Sequence, residues 1–93
     1  MSYELEFLES ALTEWKRLDG SLKDQFKKKL AERLINPRIP SAKLHGHPDR
    51  YKIKLRSIGY RLVYEVQDQR LIVLVVAVGK RDKNAVYKSA ESR

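Results

Sequence analysis

The sequence predicts an α+β fold of order β-α-α-β-β-β. In it an N-terminal strand and a helical hairpin precede an antiparallel-dominated sheet, and a short C-terminal helix or tail follows. Three observations carry that reading. Leu22, Phe26, Leu30 and Leu34 repeat every four residues, as in a helix that buries one stripe. Tyr51-Lys52-Ile53-Lys54-Leu55-Arg56 alternates strictly between apolar and basic, the period of a half-buried strand. The eight residues from Leu71 to Val78 are apolar throughout, as in a strand covered on both faces. With 42% hydrophobic residues over 93 positions, four Gly and three Pro, the chain has the composition of a folded protein with one core. Residues 1–93 are therefore read as a single domain.

Each element has its own signal. Tyr3-Glu4-Leu5-Glu6-Phe7 alternates apolar with acidic residues and reads as the first strand. Ala11, Leu12, Trp15 and Leu18 follow helical spacing until Asp19-Gly20 closes the segment. Ser21 is expected to cap the second helix, with Asp24 three residues on in a variant of the capping box. Asn36-Pro37 stops that helix, and residues 37–50 read as an irregular loop. Three strands follow, Tyr51–Arg56, Tyr60–Val66 and Leu71–Val78, with turns at Ser57-Ile58-Gly59 and Asp68-Gln69. The last of them belongs in the middle of the sheet. Trp15 and Phe26 fit the apolar stripes of the core, and Tyr60 and Tyr64 should point inward with Leu62. From Lys80 a polar tail carries Val86 and Tyr87.

Several classes of function are excluded early. Zero cysteines removes disulfides, thiolate metal sites and Cys nucleophiles together. The acidic start from Met1 to Glu6 lacks the basic and apolar segments of a secretion signal. Eight apolar residues fall far short of the ~20 that cross a bilayer, so a cytoplasmic protein without a membrane partner is expected. Charge points elsewhere. The net charge is +8 and it is polarised. Residues 1–40 hold eight basic and seven acidic side chains, whereas residues 41–93 hold twelve basic and five acidic. One electropositive side suits a phosphate backbone.

Strand register decides where those charges go. If Arg56 paired with Tyr60, Arg61 would point into the core. If Leu55 pairs with Tyr60, Ile53 meets Leu62 and Lys54 sits opposite Arg61. Burying an unpaired Arg is costly, so the second register is expected. It gathers Lys52, Lys54, Arg56 and Arg61 on one face, with Glu65 as the one carboxylate on the two strands. Like charges directly opposite each other are destabilising, which favours a functional use. Exposed alternation is also common on sheets, so spacing alone leaves a solvated face and a phosphate-binding face equally open.

The block from Tyr51 through Ser57-Ile58-Gly59-Tyr60-Arg61-Leu62-Val63-Tyr64, followed by Val78-Gly79-Lys80-Arg81 and Val86-Tyr87, closely resembles RelE-type toxins of bacterial toxin–antitoxin modules. The similarity also takes in Ala11-Leu12-x-x-Trp15 and Leu44-x-Gly46. The K-x-K, G-Y-R-L-V-Y and G-K-R blocks in this order are jointly specific, whereas any one alone is weak. The resemblance implies a RelE-like fold and an mRNA endonuclease acting in the ribosomal A site. It also implies inhibition by a cognate RelB-like antitoxin, with operator DNA bound only through the antitoxin complex. The family's active-site positions match here at Lys52, Lys54, Arg61, Arg81 and Tyr87. Many relatives carry a Glu/His acid–base pair; here Tyr87 stands at the matching tail position. Arg56, Lys80, His45 and Lys83 are expected to contact mRNA or 16S rRNA of the 70S ribosome.

The chemistry is consistent with that set. Cleavage by the neighbouring 2′-OH needs a base for the hydroxyl, charge stabilisation at the phosphate and help for the departing 5′ oxygen. Neither a metal nor a cofactor is required. Clustered cations stabilise the phosphate and disfavour each other's charge, which makes a Lys a better proton acceptor. Lys54, opposite Arg61, is the better candidate base than Lys52. Tyr87 is open to three roles: stacking on a base, orienting the 2′-OH or accepting its proton. Arg81 is a poor proton donor and is assigned charge stabilisation. His45 and His47, near Asp49, could suggest a metal, but without further ligands the signal is weak and a solvated loop is preferred. Lys27-Lys28-Lys29 reads as a solvated helix flank. Two rivals stand behind this reading. One is a ParE-like gyrase inhibitor of the same fold, and the other is a plain nucleic-acid-binding module.

Overall fold

A computed structural model of the chain describes residues 2–56, 58–80 and 85–93. Its elements in chain order are β1 (Glu4–Phe7), α1 (Glu9–Lys16), α2 (Gly20–Ile35), β2 (Arg50–Leu55), β3 (Tyr60–Gln67), β4 (Ile72–Lys80) and α3 (Ala85–Glu91). The loop before β2 holds one short 3-10 turn at Pro40–Ala42 and a bridge from Lys43 to Tyr51. The four strands form one sheet in the order β1-β4-β3-β2. β1 runs parallel to β4, and the other two pairings are antiparallel. The all-apolar strand β4 lies inside the sheet, as its composition requires.

One cap differs from expectation. Asp19, not Ser21, starts α2: its carboxylate accepts the Leu22 amide at 2.9 Å. A carboxylate at this position reaches the first free amides and meets the positive end of the helix. Gly20 and Ser21 then form the first turn. The same Asp19-Gly20 pair that closes α1 therefore opens α2.

Two layers cover the sheet unequally. On the first face, α1 and α2 bury Ala11, Leu22, Phe26 and Leu30 against Ile53, Leu62, Tyr64, Val73 and Val75. The helices meet through Trp15, which lies 6.2 Å from the Phe26 ring and 5.3 Å from Phe7. Tyr51 is also buried and stacks on Tyr64 at 5.6 Å. On the second face, α3 packs Val86 and Ala90 onto Val63, Val76 and Ala77. A bulge makes that contact possible. Val63 pairs with Ala77 but Tyr64 pairs with Val75, so Val76 is the extra residue and both Val76 and Ala77 serve the α3 side.

The C-terminus is fastened beyond this apolar contact. Arg93 is ion-paired to Glu14 of α1 at 2.8 Å and donates to the Val76 carbonyl at 2.9 Å. Glu14 also accepts the Val78 amide at 3.1 Å, past the point where β1 has ended.

Candidate active site

The part of the second face that α3 leaves open carries the site. β2 alternates, so Tyr51, Ile53 and Leu55 enter the core while Lys52 and Lys54 stay half-buried on the α3 side. Leu55 pairs with Tyr60, Ile53 with Leu62 and Lys54 with Arg61, the register expected from the sequence. A four-residue connection from Arg56 to Gly59 closes the hairpin, and Gly59 adopts a φ of +73°, the left-handed region that glycine enters without strain.

Lys52, Lys54, Arg61 and Tyr87 line a single cleft of about 540 Å³, with His45 at its wall. Two β-strands and α3 thus converge on one hollow. The cleft also takes in residues that the sequence did not single out for it: His47, Arg50, Lys88 and Glu91. Arg50 was legible in principle, because positions 50, 52 and 54 are all basic and share one strand phase. Tyr87, Lys88 and Glu91 share one side of a helix, a spacing with meaning only once the tail is helical.

Arg61 departs from expectation in one respect. Its register is as read, yet its side chain is not in water: the residue is 5% exposed. The second face is not bare, because α3 lies over the adjacent Val63 with Leu44 and Tyr87 at its margin. Nη1 donates to the Tyr60 carbonyl at 2.9 Å, while Nε has no partner. Among the described residues no carboxylate is ion-paired to Arg61. A buried guanidinium without an ion-pair partner is costly by several kcal/mol, so an anion that entered the cleft would be strongly favoured there.

The neighbouring arginine is the opposite case. Arg50 Nε is 3.2 Å from the Glu65 carboxylate, and Nη1 donates to the Ala90 carbonyl of α3 at 2.6 Å. Gln67 in turn donates to Glu65 at 3.0 Å. The Arg50 charge is spent on holding α3, and with it the wall that carries Tyr87.

The remaining expected contacts are scattered. Arg56 lies past the end of β2, exposed, and lines an adjoining recess with Arg33 and Ser41 instead of the cleft. Lys80 is exposed at the end of β4, opposite Tyr60, and does not line the cleft. Arg81 and Lys83 fall outside the described residues. Burial raises the Tyr64 phenol above its usual pKa despite the Arg33 guanidinium beside it. The phenol therefore stays neutral, donating to the Pro37 carbonyl at 2.6 Å, and leaves the Arg33 charge uncancelled. Among the described residues no helix is long and apolar enough to cross a membrane. None of their His, Cys, Asp or Glu side chains forms a group of three or more that could hold a metal ion.

The chain is thus a mixed four-stranded sheet with a helical pair on one face and a basic cleft under a C-terminal helix on the other. The family profile for the ParE toxin of type II toxin–antitoxin systems, parDE, matches residues 5–85. The mRNA interferase toxin RelE of Escherichia coli K12 is 54% identical over 93 residues, covering all of this chain and 98% of the relative. The structure of a doubly substituted E. coli RelE in the free state superposes with a TM-score of 0.92 at 53% identity, covering 100% of this chain and 98% of the other. The same toxin bound to a peptide of its antitoxin RelB gives 0.85 at 53% identity over 97% and 95% of the two chains. The chain belongs to the RelE/ParE superfamily of type II toxins, as a RelE-type member.

Proposed function

We propose that this chain is an endoribonuclease toxin that cuts mRNA in the ribosomal A site and is neutralised by a cognate RelB-like antitoxin. The observation that carries the proposal is Arg61: a buried guanidinium with an unpartnered Nε, lining a cleft with Lys52, Lys54 and Tyr87. A phosphodiester seated there offers its anionic oxygens to that guanidinium. Phosphoryl charge that grows as the 2′ oxygen attacks is then met by cations already in place, and stabilisation fixed in advance is the largest catalytic effect such a site offers.

In the proposed reaction the 2′ oxygen forms a bond to phosphorus as the bond to the 5′ oxygen breaks. The products are a 2′,3′-cyclic phosphate and a 5′-hydroxyl. The 2′-OH proton passes to Lys54 or Tyr87, and the departing oxygen gains a proton from the site or from water. Arg61 and Lys52 hold the phosphate, and Arg81 shields the leaving oxygen. The full-length kinship with a protein named as an mRNA interferase supports this reading over gyrase inhibition, although the family profile carries the ParE name. The RelE structure in complex with an antitoxin peptide supports the antitoxin partner.

The test compares one mRNA with and without 70S ribosomes. Cuts confined to the A-site codon of programmed ribosomes and bearing 2′,3′-cyclic phosphate ends are expected, with negligible cutting of free RNA. Protein that arrests growth yet cuts in neither condition would return gyrase to first place.

A further inference from the structure

The side chains of Lys52 and Lys54 form a wall with a hollow on each side. One is the cleft; the other is a recess of about 210 Å³ at the free edge of β2, closed by Arg33, Ser41 and Arg56. Among the described residues no carboxylate lines this recess. Arg33 reaches into it from α2 and is fixed before any ligand arrives. Its Nη1 donates to the Tyr64 hydroxyl at 2.8 Å and to the Lys52 carbonyl at 3.3 Å, and its guanidinium lies 5.7 Å from the Tyr64 ring. Among the described residues Nε and Nη2 make no bond, so two donor nitrogens with three N–H groups remain available from a rigid fork.

The arginines of this chain sort into two kinds. Arg38, Arg50, Arg70 and Arg93 are each ion-paired. Among the described residues Arg17, Arg33, Arg56 and Arg61 are not; Arg17 lies at the end of α1, and the other three line the recess and the cleft. An even spread of solvated charge gives no reason for three of these four to gather at two adjoining hollows. A ligand with anionic groups in series does.

We propose that the Arg33–Ser41–Arg56 recess is a second phosphodiester site, which binds a nucleic-acid backbone phosphate neighbouring the one in the cleft. The proposal rests on the nuclease reading, because it takes the strand in the cleft to be RNA. Lys52 and Lys54, roughly 7 Å apart along one strand face, bridge the two sites. Arg33 presents a fork, Arg56 a second cation from the exposed turn, and Ser41 a hydroxyl donor, the three donor types that fix a backbone without reading its bases. The phosphate could belong to the mRNA or to ribosomal RNA; the chemistry is shared and the experiment separates them.

Arg56→Gln and Ser41→Ala change exposed positions outside the core, and Arg33→Lys keeps charge while losing the fork. Each full-length variant is assayed on programmed ribosomes with mRNAs bearing one neutral methylphosphonate linkage at a time around the cut. Arg56→Gln is expected to lower kcat/KM about tenfold, the effect of one charge-assisted contact. If the phosphate is the messenger's, one linkage slows the wild type when neutralised and leaves Arg56→Gln unmoved. If it is ribosomal, no linkage behaves so, and the slope of log affinity for ribosomes against log salt falls by about one in the variant. The proposal is overturned if Arg56→Gln, Ser41→Ala and Arg33→Lys all stay within about twofold of wild type in kcat/KM and affinity, with the salt slope unchanged. Should the wild type cut no RNA at all, the nuclease reading fails separately, and the ribosome salt slope alone decides the recess.

Discussion

The two faces of the sheet are built to different rules. The face under α1 and α2 is apolar and closed, with Phe26 and Tyr64 fully buried at its centre. The face under α3 buries three small residues, Val63, Val76 and Ala77, and then opens onto Lys52, Lys54 and the buried Arg61. The first follows the hydrophobic effect alone. The second holds a buried charge that has no ion-pair partner among the described residues, where a stability-driven fold would carry an apolar side chain. Strength resides on one side of four strands and chemistry on the other.

That contrast breaks most sharply in a pair of variants. Phe26→Ala should cost about 3–5 kcal/mol, because the ring is fully buried and the helices cannot collapse onto the space it leaves. Once folded, it should cut RNA at the wild-type rate. Arg61→Met should do the reverse. Activity should fall at least about 100-fold with the loss of phosphate stabilisation, while thermal stability holds or rises by about 1–3 kcal/mol as an unsatisfied buried charge disappears. Thermal melts and single-turnover cleavage on ribosomes measure both. An Arg61→Met protein that melts well below wild type would mean the guanidinium is structural, and the proposed phosphate site would lose its main support.

A smaller effect tests how the second face keeps its shape. Arg50 joins Glu65 to the Ala90 carbonyl, and the helix so held carries Tyr87. Arg50→Met should speed amide hydrogen exchange in α3 and lower kcat about tenfold, the scale of one lost charge-assisted hydrogen bond, with little change in KM. Because Arg50 is argued to act through Tyr87, its effect should vanish in a Tyr87→Ala background. An undiminished loss there would show that Arg50 touches substrate itself.

Much of this was legible in the sequence, for identifiable reasons. The alternation of Tyr51 to Arg56 and the repeat at Leu22, Phe26, Leu30 and Leu34 are backbone periods, which tertiary contacts did not override. The penalty for turning Arg61 into the core against Leu62 fixed the register correctly. The burial of Arg61 on the opposite face was hidden, because it depends on α3. The signal for α3 is only Val86 and Ala90, one turn apart, and their seat exists only through the bulge at Val76. The pairing of Arg50 with Glu65 needed the register to be extended one residue beyond the apparent strand start. His47 joined the cleft through loop geometry that no periodicity encodes.

The smallest expected effect lies on the strong face's rim, remote from the cleft. Asp68, in the β3–β4 turn, accepts from the Tyr3 hydroxyl and from Arg38 at 2.6 Å, and Arg38 also holds Asp49 at 3.0 Å. The Tyr3 hydrogen bond first, and Arg38 second, hold the Asp68 carboxyl below its usual pKa. A carboxyl depressed on folding stabilises above its unfolded pKa of about 3.9 and loses that contribution as pH falls through the lower folded value. Both partners are substantially exposed, so the tie is worth little in salt. Asp68→Asn should therefore leave cleavage and neutral-pH stability almost unchanged, and should flatten the decline in melting temperature below about pH 4. An equal decline in wild type and variant would place the acid sensitivity elsewhere in the fold.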